Sequence, residues 1–525
     1  MNAMKRILFA VLAMSLSLHA SAQRALSNDE ARQKLHYAEM AITNIYVDTV
    51  NENKLVEDAI RGMLKELDPH STYTTAKETK TMTESLQGSF EGIGVQFNMA
   101  QDTLLIIQTV PNGPSEKMGI LAGDRIISVE DTTIAGVKMP REEIMRRLRG
   151  KKGTQVRLKI LRRGISDLLD FTITRDKIPV HTVDAVYMIR PEVGYIRISS
   201  FGATTYDEFM QGVDSLKQHG MKDLIVDLQE NGGGYLQSAV QIANEFLQKE
   251  DLIVYTEGRS TRRQDFKADG KGRLLEGRVM VLVNEGSASS SEIFAGAIQD
   301  NDRGTIIGSR SFGKGLVQRP IEFPDGSMIR LTVAHYYTPS GRCIQKPYEK
   351  GDKEGYEMDI EKRFKHGELY CRDSIHFADS LKFHTLRRKA VVYGGGCIMP
   401  DFFVPLDTTQ YTAYHRQISA KSIIINSSLK YVDQNRKRLK KEYRSFEDFN
   451  ERFDVPEIVL QELFGEAEKA KVKLKDEDER QRSVPMLKMQ LKALIARDLW
   501  DMSQYFQIVN EQNHIVQKAI QLLGK

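Results

Sequence analysis

Alternating strand-like and helix-like segments between residues 194 and 299 constrain the fold of this chain more than any other feature. Residues 194–199, 223–228 and 279–283 have the length and character of strands, and 223–228 is predicted to be buried. Residues 206–219 and 235–247 have helical periodicity and lie between them. Such alternation predicts an α/β core.

A serine-rich run follows the last of these strands. Ser289 lies directly before a helix-like segment at 292–299, and Lys314 lies 25 positions later (314 minus 289) in a glycine-flanked turn. A serine hydroxyl is a poor nucleophile unless a base takes its proton, and lysine is such a base when burial keeps it neutral. The pair suggests a Ser-Lys dyad. The alternative is a serine-capped helix start without chemistry.

Residues 308–314 also match the phosphate loop of nucleotide triphosphatases, G-x-x-x-x-G-K. That motif needs Ser or Thr after the lysine to bind magnesium, but Gly315 stands there. The segment that follows, 316–323, is strand-like, whereas a phosphate loop opens a helix. Both departures count against nucleotide binding.

The residues around Ser289 and Lys314 carry a resemblance to a known family. SASSSE at 287–292 and FGKGLVQ at 312–318 resemble S-A-S-A-S-E and F-G-K-G-x-V-Q of the carboxyl-terminal processing peptidases, also called tail-specific proteases. The resemblance implies Ser289 as nucleophile, Lys314 as general base and Gln318 as the residue that positions the lysine. Ser290 replaces the usual Ala, which should be tolerated because the role expected there belongs to the backbone N–H.

A glycine turn closes the strand at 223–228. The sequence DLQENGGG at 227–234 resembles the family motif D-L-R-x-N-x-G-G, with Gln229 in place of Arg, which puts a local ion pair in doubt. Free N–H groups where a helix begins suit a developing oxyanion. We expect the N–H groups of Ser290 and Gly233 to be the donors, with Gly234 as the substitute. The alternative is a simple helix-entry turn.

Residues 88–176 resemble a bacterial PDZ domain. A glycine-rich turn enters a strand at 88–97, and a short helix and turn at 115–124 precede another strand at 125–129. PDZ domains bind an extended C-terminus by strand addition and hold its carboxylate with backbone N–H groups. The resemblance places that site at Gly92, Ile93, Gly94 and Val95. The predicted helix at 141–148 forms the other wall, where Ile144 and Leu148 line either the pocket or the domain core.

The N-terminus has the pattern of a signal peptide. Lys5 and Arg6 precede the apolar run 7–18, and Ala20-Ser21-Ala22 follows as a cleavage signal. The alternative is an uncleaved anchor. Removal of residues 1–22 lowers the net charge from +4 to +2, since it takes away two basic and no acidic residues. We therefore predict export to the periplasm, cleavage after Ala22 and no nucleic-acid partner.

The chain divides into five predicted regions. Residues 1–22 form the signal peptide, 23–87 a helical region, 88–176 the PDZ domain, 177–404 the peptidase core and 405–525 a helical region. The family fold makes the core a crotonase-like βαβ unit. The charged insertion at 348–388 is predicted as a surface excursion, the charged segment 466–482 as mobile, and the last region as a docking arm or a surface for homo-oligomers.

The remaining reactive residues have structural interpretations. His70, in the family's L-D-P-H-S segment at 67–71, and His335, on a predicted strand, are predicted to be structural. The three cysteines, Cys343, Cys371 and Cys397, allow three pairings in an oxidising compartment, or are three free thiols.

Taken together, these features predict an exported serine endopeptidase that captures protein or peptide substrates with free apolar C-termini and needs no metal or cofactor. The family implies an adaptor lipoprotein as a further partner. The main alternative is a non-catalytic PDZ scaffold or chaperone, which the intact Ser289, Lys314 and Gln318 argue against.

Overall fold

The structure is a computed structural model that describes residues 27–100, 102–407 and 411–524. The predicted signal peptide and its cleavage site lie outside these residues. The N-terminal region comprises α1 (Asn28–Ile45), α2 (Glu52–Lys65), β1 (Thr72–Thr74) and α3 (Ala76–Leu86). Within the described ranges, no helix is both long enough and apolar enough to cross a membrane.

The second region is an antiparallel β-sheet unit. Its elements are β2 (Ser89–Gly92), β3 (Val95–Ala100), β4 (Thr103–Thr109), α4 (Pro114–Lys117), β5 (Arg125–Val129), β6 (Thr132–Thr133), α5 (Arg141–Leu148), β7 (Gln155–Leu161), β8 (Leu169–Thr174) and β9 (Asp176–Pro179). The sheet order is β3-β4-β5-β7-β8, and β2 pairs separately with β9. Every second residue of β7 is buried, and Val156, Leu158 and Ile160 belong to the same apolar cluster as Ile144 and Leu148 of α5.

The third region is the largest. Its elements are β10 (Val183–Arg190), β11 (Val193–Ile198), α6 (Thr205–Gln218), β12 (Asp223–Asp227), α7 (Leu236–Asn244), β13 (Leu252–Glu257), β14 (Gln264–Lys267), β15 (Val279–Val283), α8 (Ser290–Asp300), β16 (Thr305–Gly308), β17 (Leu316–Glu322), β18 (Met328–Tyr337), α9 (Lys353–Glu357), α10 (Asp359–Lys365), β19 (Lys382–His384), β20 (Val391–Tyr393) and β21 (Phe402–Phe403). Two sheets organise it.

The first of these sheets confirms the predicted α/β core. Its order is β10-β11-β12-β15-β16-β21. The strands β10 and β11 are antiparallel, and every other neighbouring pair is parallel. The helices α6, α7 and α8 pack their apolar faces on it, and Phe209, Phe246 and Phe294 meet in that core. Because β12 and β15 are adjacent and parallel, the turns that follow them lie at the same edge.

The second sheet brings distant segments together. Its order is β1-β18-β13-β14, with β17 also paired to β18, and every pairing is antiparallel. The short strand β1 joins it through the pair Thr72↔Arg330. The N-terminal turn before β1 is thereby placed beside the hairpin β17–β18, which carries Gln318.

The C-terminal region is helical, as predicted. It comprises α11 (Ala413–Ala420), α12 (Ile423–Glu442), α13 (Phe446–Arg452), α14 (Glu457–Lys469), α15 (Glu477–Leu499), α16 (Met502–Asn510) and α17 (His514–Leu523). Most of these helices share one apolar cluster, whereas α17 packs Val516 and Ala519 against the first sheet. The helix α12 also touches the second region, where Asp433 accepts from Arg125 at 2.7 Å.

The charged insertion at 348–388 differs from its prediction, because part of it is buried. Tyr356 and Arg363 are buried, and Arg363 donates to the carbonyl oxygens of Ser311 (2.7 Å) and Phe312 (3.1 Å). The insertion thus supports the turn that carries Lys314. The charged segment 466–482 is largely helical, in the end of α14 and the start of α15.

The cysteines are free thiols: Cys397 is buried, Cys343 half-buried and Cys371 exposed. The structure therefore contains none of the three disulfide pairings that the sequence left open.

Candidate active site

Ser289 lies at the junction of β15 and α8, in a backbone conformation that serine rarely adopts. Its φ is +56°, in the left-handed region that favours glycine. A non-glycine residue in such a conformation costs about 1–3 kcal/mol and persists only where its surroundings determine it. The side chain is half-buried. Ser289 therefore lies in the turn at the end of β15, directly before the first residue of α8.

A buried glutamate fixes Ser289 relative to Lys314. Glu292 lies in the first turn of α8 and is fully buried. Its Oε2 accepts from the backbone N–H groups of both Ser289 (2.9 Å) and Lys314 (2.8 Å). Its Oε1 accepts from the Gly313 N–H (2.7 Å) and the Ser311 hydroxyl (2.5 Å). One carboxylate therefore joins the serine to the lysine turn.

Tyr336 makes a second link between the same two residues. Its hydroxyl lies 3.1 Å from the Ser289 carbonyl oxygen and also contacts the Lys314 carbonyl oxygen. The ring is almost fully buried, and burial raises the pKa of the phenol well above its usual range. Both the N–H and the C=O of Ser289 and Lys314 are thus held by a shared neighbour.

The Lys314 ammonium is mostly withdrawn from solvent. Burial and, to a smaller extent, the positive charge of Arg330 lower its pKa to about 8, while Glu292 and Asp68 oppose the shift. Within the described residues, no carboxylate forms an ion pair with its Nζ and no hydrogen bond is made there. A lysine in this environment becomes neutral at a pH close to 8, which is what a general base requires.

The glycine turn after β12 packs directly against the serine. A Cβ on Gly233 would lie 2.8 Å from the Ser289 Cβ and 2.9 Å from the Ser290 nitrogen. The Gly233 N–H already donates to Asn231 Oδ1 (2.8 Å). In the described part of the chain, the N–H groups of Ser290 and Gly234 have no acceptor. Of the expected oxyanion donors, the N–H groups of Ser290 and of the substitute Gly234 are therefore free to donate, whereas that of Gly233 is already hydrogen-bonded.

An apolar groove in the second region lies between β3 and α5. It is a cavity of about 260 Å³. Its lining includes Gly92, Ile93, Gly94, Val95, Phe97, Met145 and Leu148. Ile144 is fully buried in the domain core instead, so Met145 takes the place in the pocket that the sequence allowed for Ile144. Among described residues, no acceptor lies opposite the N–H groups of Ile93 and Gly94, which leaves two donors free at one end.

Comparison with known proteins identifies the family to which this chain belongs. The family model of peptidase family S41 matches residues 192–361, and that of the PDZ domain matches 92–173. Residues 10–79 match the activating protease CtpB N-terminal domain, and 414–501 match a family of unknown function. The chain is 35% identical to the carboxy-terminal processing protease CtpA of Bacillus subtilis over 69% of this chain and 80% of that protein.

The chain belongs to peptidase family S41. A carboxy-terminal-processing protease of Bartonella bacilliformis is 37% identical over 63% of this chain and 78% of that protein. Among solved structures, a photosystem II D1 C-terminal processing protease is 28% identical over 61% of this chain and 91% of that chain, with a TM-score of 0.34. The family models and the curated relatives confirm the predicted family and serine-peptidase class, and the sheets and helices described above agree with the predicted fold class.

In this S41 peptidase, a polar chain from the N-terminal turn reaches Gln318. Gln318 Nε2 donates to the Thr332 hydroxyl (3.2 Å), which donates to Asp68 Oδ1 (3.0 Å). Ser71 donates to Asp68 Oδ2 (2.6 Å) and accepts from the Thr332 N–H (3.1 Å). The residue expected to position Lys314 is thus held by Thr332, which is fixed in turn by Asp68 and Ser71 from outside the peptidase core.

His70 lies within electrostatic reach of Lys314, although it was predicted to be only structural. Its Nε2 is 2.9 Å from the Tyr356 hydroxyl, and the two rings meet edge to face. Burial, with the charge of Lys314 as a smaller contribution, lowers the pKa of His70 to about 4. The ring is therefore neutral at physiological pH. His335 lies on β18 opposite Leu316, so the strand predicted for it is present.

Several residues of the site were missed in the sequence. Glu292 is the last residue of SASSSE and could have been inferred from its position three after Ser289, where a carboxylate reaches back to a backbone N–H. The ion pair that Gln229 put in doubt is instead made by Arg197, which donates to Asp227 at 2.9 Å. No local signal marks Arg197, because it lies on the neighbouring strand β11.

Proposed function

We propose that this S41 peptidase is an exported endopeptidase that captures substrate C-termini in its PDZ groove and cleaves through a Ser289–Lys314 dyad. The observation that carries the proposal is the shared anchoring of the two residues. Glu292 Oε2 accepts from both backbone N–H groups, and the lysine it helps to position is desolvated and has no carboxylate partner in the described chain.

The proposed reaction begins with proton transfer. Neutral Lys314 takes the proton of the Ser289 hydroxyl as its oxygen attacks the carbonyl carbon of the scissile peptide bond. The carbonyl electrons move onto the oxygen, and this oxyanion accepts from the N–H groups of Ser290 and Gly233, or Gly234 in place of Gly233. The preorganised turn beside Ser289 makes this stabilisation possible without movement of the main chain at Ser290.

The tetrahedral intermediate then collapses. Protonated Lys314 gives its proton to the leaving amine nitrogen, the C–N bond breaks, and an acyl ester on Ser289 remains. Water attacks the ester as neutral Lys314 accepts its proton, and Lys314 then returns that proton to the Ser289 oxygen as the ester C–O bond breaks and the carboxylic acid product leaves. Gln318, held by Thr332, keeps the lysine amine directed at the serine throughout. The reaction uses no metal or cofactor.

The PDZ groove supplies substrate selection. A free C-terminal carboxylate accepts from the amides of the segment Gly92 to Val95, and an apolar last side chain enters the pocket beside Met145 and Leu148. The N-terminal cleavage signal supports export to the periplasm. An adaptor lipoprotein and a homo-oligomer are partners of the same proposal, and light scattering of the full chain tests the second.

The deciding experiment is cleavage of an unfolded reporter with an apolar C-terminal tail by the purified chain and by Ser289→Ala. We expect cleavage by the parent only, and its loss when the tail carboxylate is converted to an amide. Cleavage by the alanine variant would refute the nucleophile, and equal cleavage of the amide would refute carboxylate capture. Tail binding without cleavage by either protein would favour the non-catalytic scaffold.

A further inference from the structure

We infer that the PDZ groove selects tails with an acidic residue at the third position from the end, and that Arg141 reads it. The inference rests on the proposed function, because it concerns the tail that the groove receives. It follows from the direction of the groove, the spacing of an extended peptide and the charge distribution on α5.

The groove has two distinguishable ends. At one end the free N–H groups of Ile93 and Gly94 lie beside the C-terminal end of α5, where the Arg149 Cα would be 3.7 Å from a Cβ on Gly92. At the other end the Arg141 guanidinium lies over the Phe97 ring, 5.2 Å from its centroid. The carboxylate therefore belongs at the first end, and the peptide extends from it toward Arg141.

The spacing of an extended strand fixes which residue arrives at Arg141. Side chains of a strand alternate, so the last and third-last residues of a bound tail face the same side. Two steps of about 3.4 Å separate them by about 7 Å, which equals the step from Val95 to Phe97 along β3. When the last side chain occupies the pocket between Val95 and Met145, the third-last lies beside Phe97 and Arg141.

Arg141 differs from the other arginines of this wall. Arg146 and Arg147 pair with Glu143 at 2.7 and 3.0 Å, and Arg149 pairs with Glu84 at 2.9 Å. Arg141 is exposed and, within the described chain, has no carboxylate or hydrogen-bond partner. The neighbouring Glu142 does not neutralise it, because consecutive helix residues point in different directions.

The aromatic contact prepares Arg141 for an acidic ligand. Stacking on Phe97 holds the long side chain near the groove, which reduces the conformational freedom lost on binding. A guanidinium offers two parallel N–H donors to a carboxylate, a match that a neutral amide or an ammonium cannot make. A tail with Asp or Glu at the third-last position therefore gains a charge-assisted contact, and one with Lys is repelled.

The test is tail binding to the full chain carrying Ser289→Ala, which keeps peptides intact. Fluorescence anisotropy compares three labelled peptides that share an apolar last residue and differ only in Glu, Gln or Lys at the third-last position. At low salt we expect the Glu peptide to bind about fivefold more tightly than the Gln peptide and the Lys peptide more weakly still, with differences that shrink at high salt.

Two charge variants test whether Arg141 is the residue that recognises the third-last side chain. Arg141→Gln should give equal affinity for the three peptides, and Arg141→Glu should reverse their order. Arg146→Gln is the matched control, because that side chain is on the same helix, exposed and already paired with Glu143; discrimination should persist there. Equal affinities in the parent, or discrimination that survives Arg141→Gln, would overturn the inference.

The design separates this inference from the proposed function. If the three peptides bind equally but their amidated forms do not bind, carboxylate capture stands and only the role of Arg141 fails. If none of the peptides binds, or the amidated forms bind as tightly as the acids, tail capture itself fails and the inference fails with it.

Discussion

Two lysines on touching turns have opposite surroundings in this protein: Lys346 is buried, and Lys314 is half-buried. The Lys346 N–H donates to the Gly313 carbonyl at 2.8 Å, so its turn packs on that of Lys314. The Lys346 Nζ is 3.1 Å from Asp359 and 3.1 Å from the Tyr356 carbonyl oxygen, and it lies over the rings of Phe312 and Tyr356. Among the described residues, the Lys314 Nζ is desolvated but has no carboxylate, carbonyl or aromatic partner of this kind.

The difference teaches that burial alone does not make a base. Burial lowers the pKa of both lysines, but at Lys346 the adjacent Asp359 opposes the shift through a direct ion pair. At Lys314 the positive charge of the neighbouring Arg330 lowers the pKa further. Glu292 accepts four hydrogen bonds, and none of them comes from the Lys314 amine. A paired ammonium therefore keeps its proton more readily than an unpaired one, although burial lowers the pKa of both.

The comparison is tested most severely by Lys314→Met. We expect hydrolysis to fall by about 10³-fold, because the substitution removes the proposed general base. We also expect a higher Tm, since a charged lysine buried without a partner costs free energy. The folded-state pKa of about 8 lies below the unfolded value, so this gain should be largest below pH 8 and fade as the pH approaches the unfolded pKa. Thermal scans at pH 6 and above pH 10 measure it, and a lower Tm at pH 6 would contradict the argument.

Thr332→Val should have the next largest effect. The substitution keeps the shape but removes the hydroxyl that links Gln318 to Asp68, so we expect kcat to fall about tenfold with little change in KM. Thr332→Ser should restore most of the rate. In a double-mutant cycle with Gln318→Ala the two losses should not add, because both interrupt one chain of hydrogen bonds. Additive losses would show that Thr332 acts independently of Gln318.

This chain also shows the limit of reading the site from the sequence. Ser289, Lys314 and Gln318 could be predicted because each lies in a short motif with fixed spacing. Asp68 accepts a hydrogen bond from Thr332, which lies 264 positions later in the chain. The strand β1 that follows Asp68 has only three residues, too few to predict from the sequence which sheet it joins. Lys346 and Asp359 carry no motif at all. Local patterns are therefore enough to propose the reacting groups, while the groups that shift the pKa of the lysine depend on tertiary contacts.

The pH dependence of kcat/KM tests the surroundings of Lys314 further. We expect Arg330→Gln to shift the midpoint of this profile. In the parent, kcat/KM should rise about tenfold per pH unit below pH 8 and level off above it, as Lys314 loses its proton. Removing the Arg330 charge raises the pKa of Lys314, so the midpoint should move to higher pH. A displacement of half a unit lowers activity at pH 7 about threefold.

The control for that variant is Arg319→Gln. Arg319 lies on the neighbouring strand β17 with an exposed side chain, and its charge does not contribute to the pKa of Lys314. Its profile should match that of the parent. If both variants shift equally, the cause is the net charge of the protein rather than the position of Arg330.

The smallest effect on activity is expected from Lys346→Met, the counterpart of Lys314→Met. Here the ammonium is paired, so its loss removes the ion pair with Asp359 and the contacts with two aromatic rings, which together are worth about 1–2 kcal/mol. We expect the Tm to fall by about 2–5 °C at pH 7, while kcat/KM stays within about threefold of the parent, because Arg363 still pairs with Asp359 at 2.8 Å and still holds the turn at Ser311. The same substitution would then raise the Tm at one buried lysine and lower it at the other. Thermal scans of the two variants side by side test this, and a change of the same sign in both would mean that burial, not pairing, dominates the free energy of the two lysines.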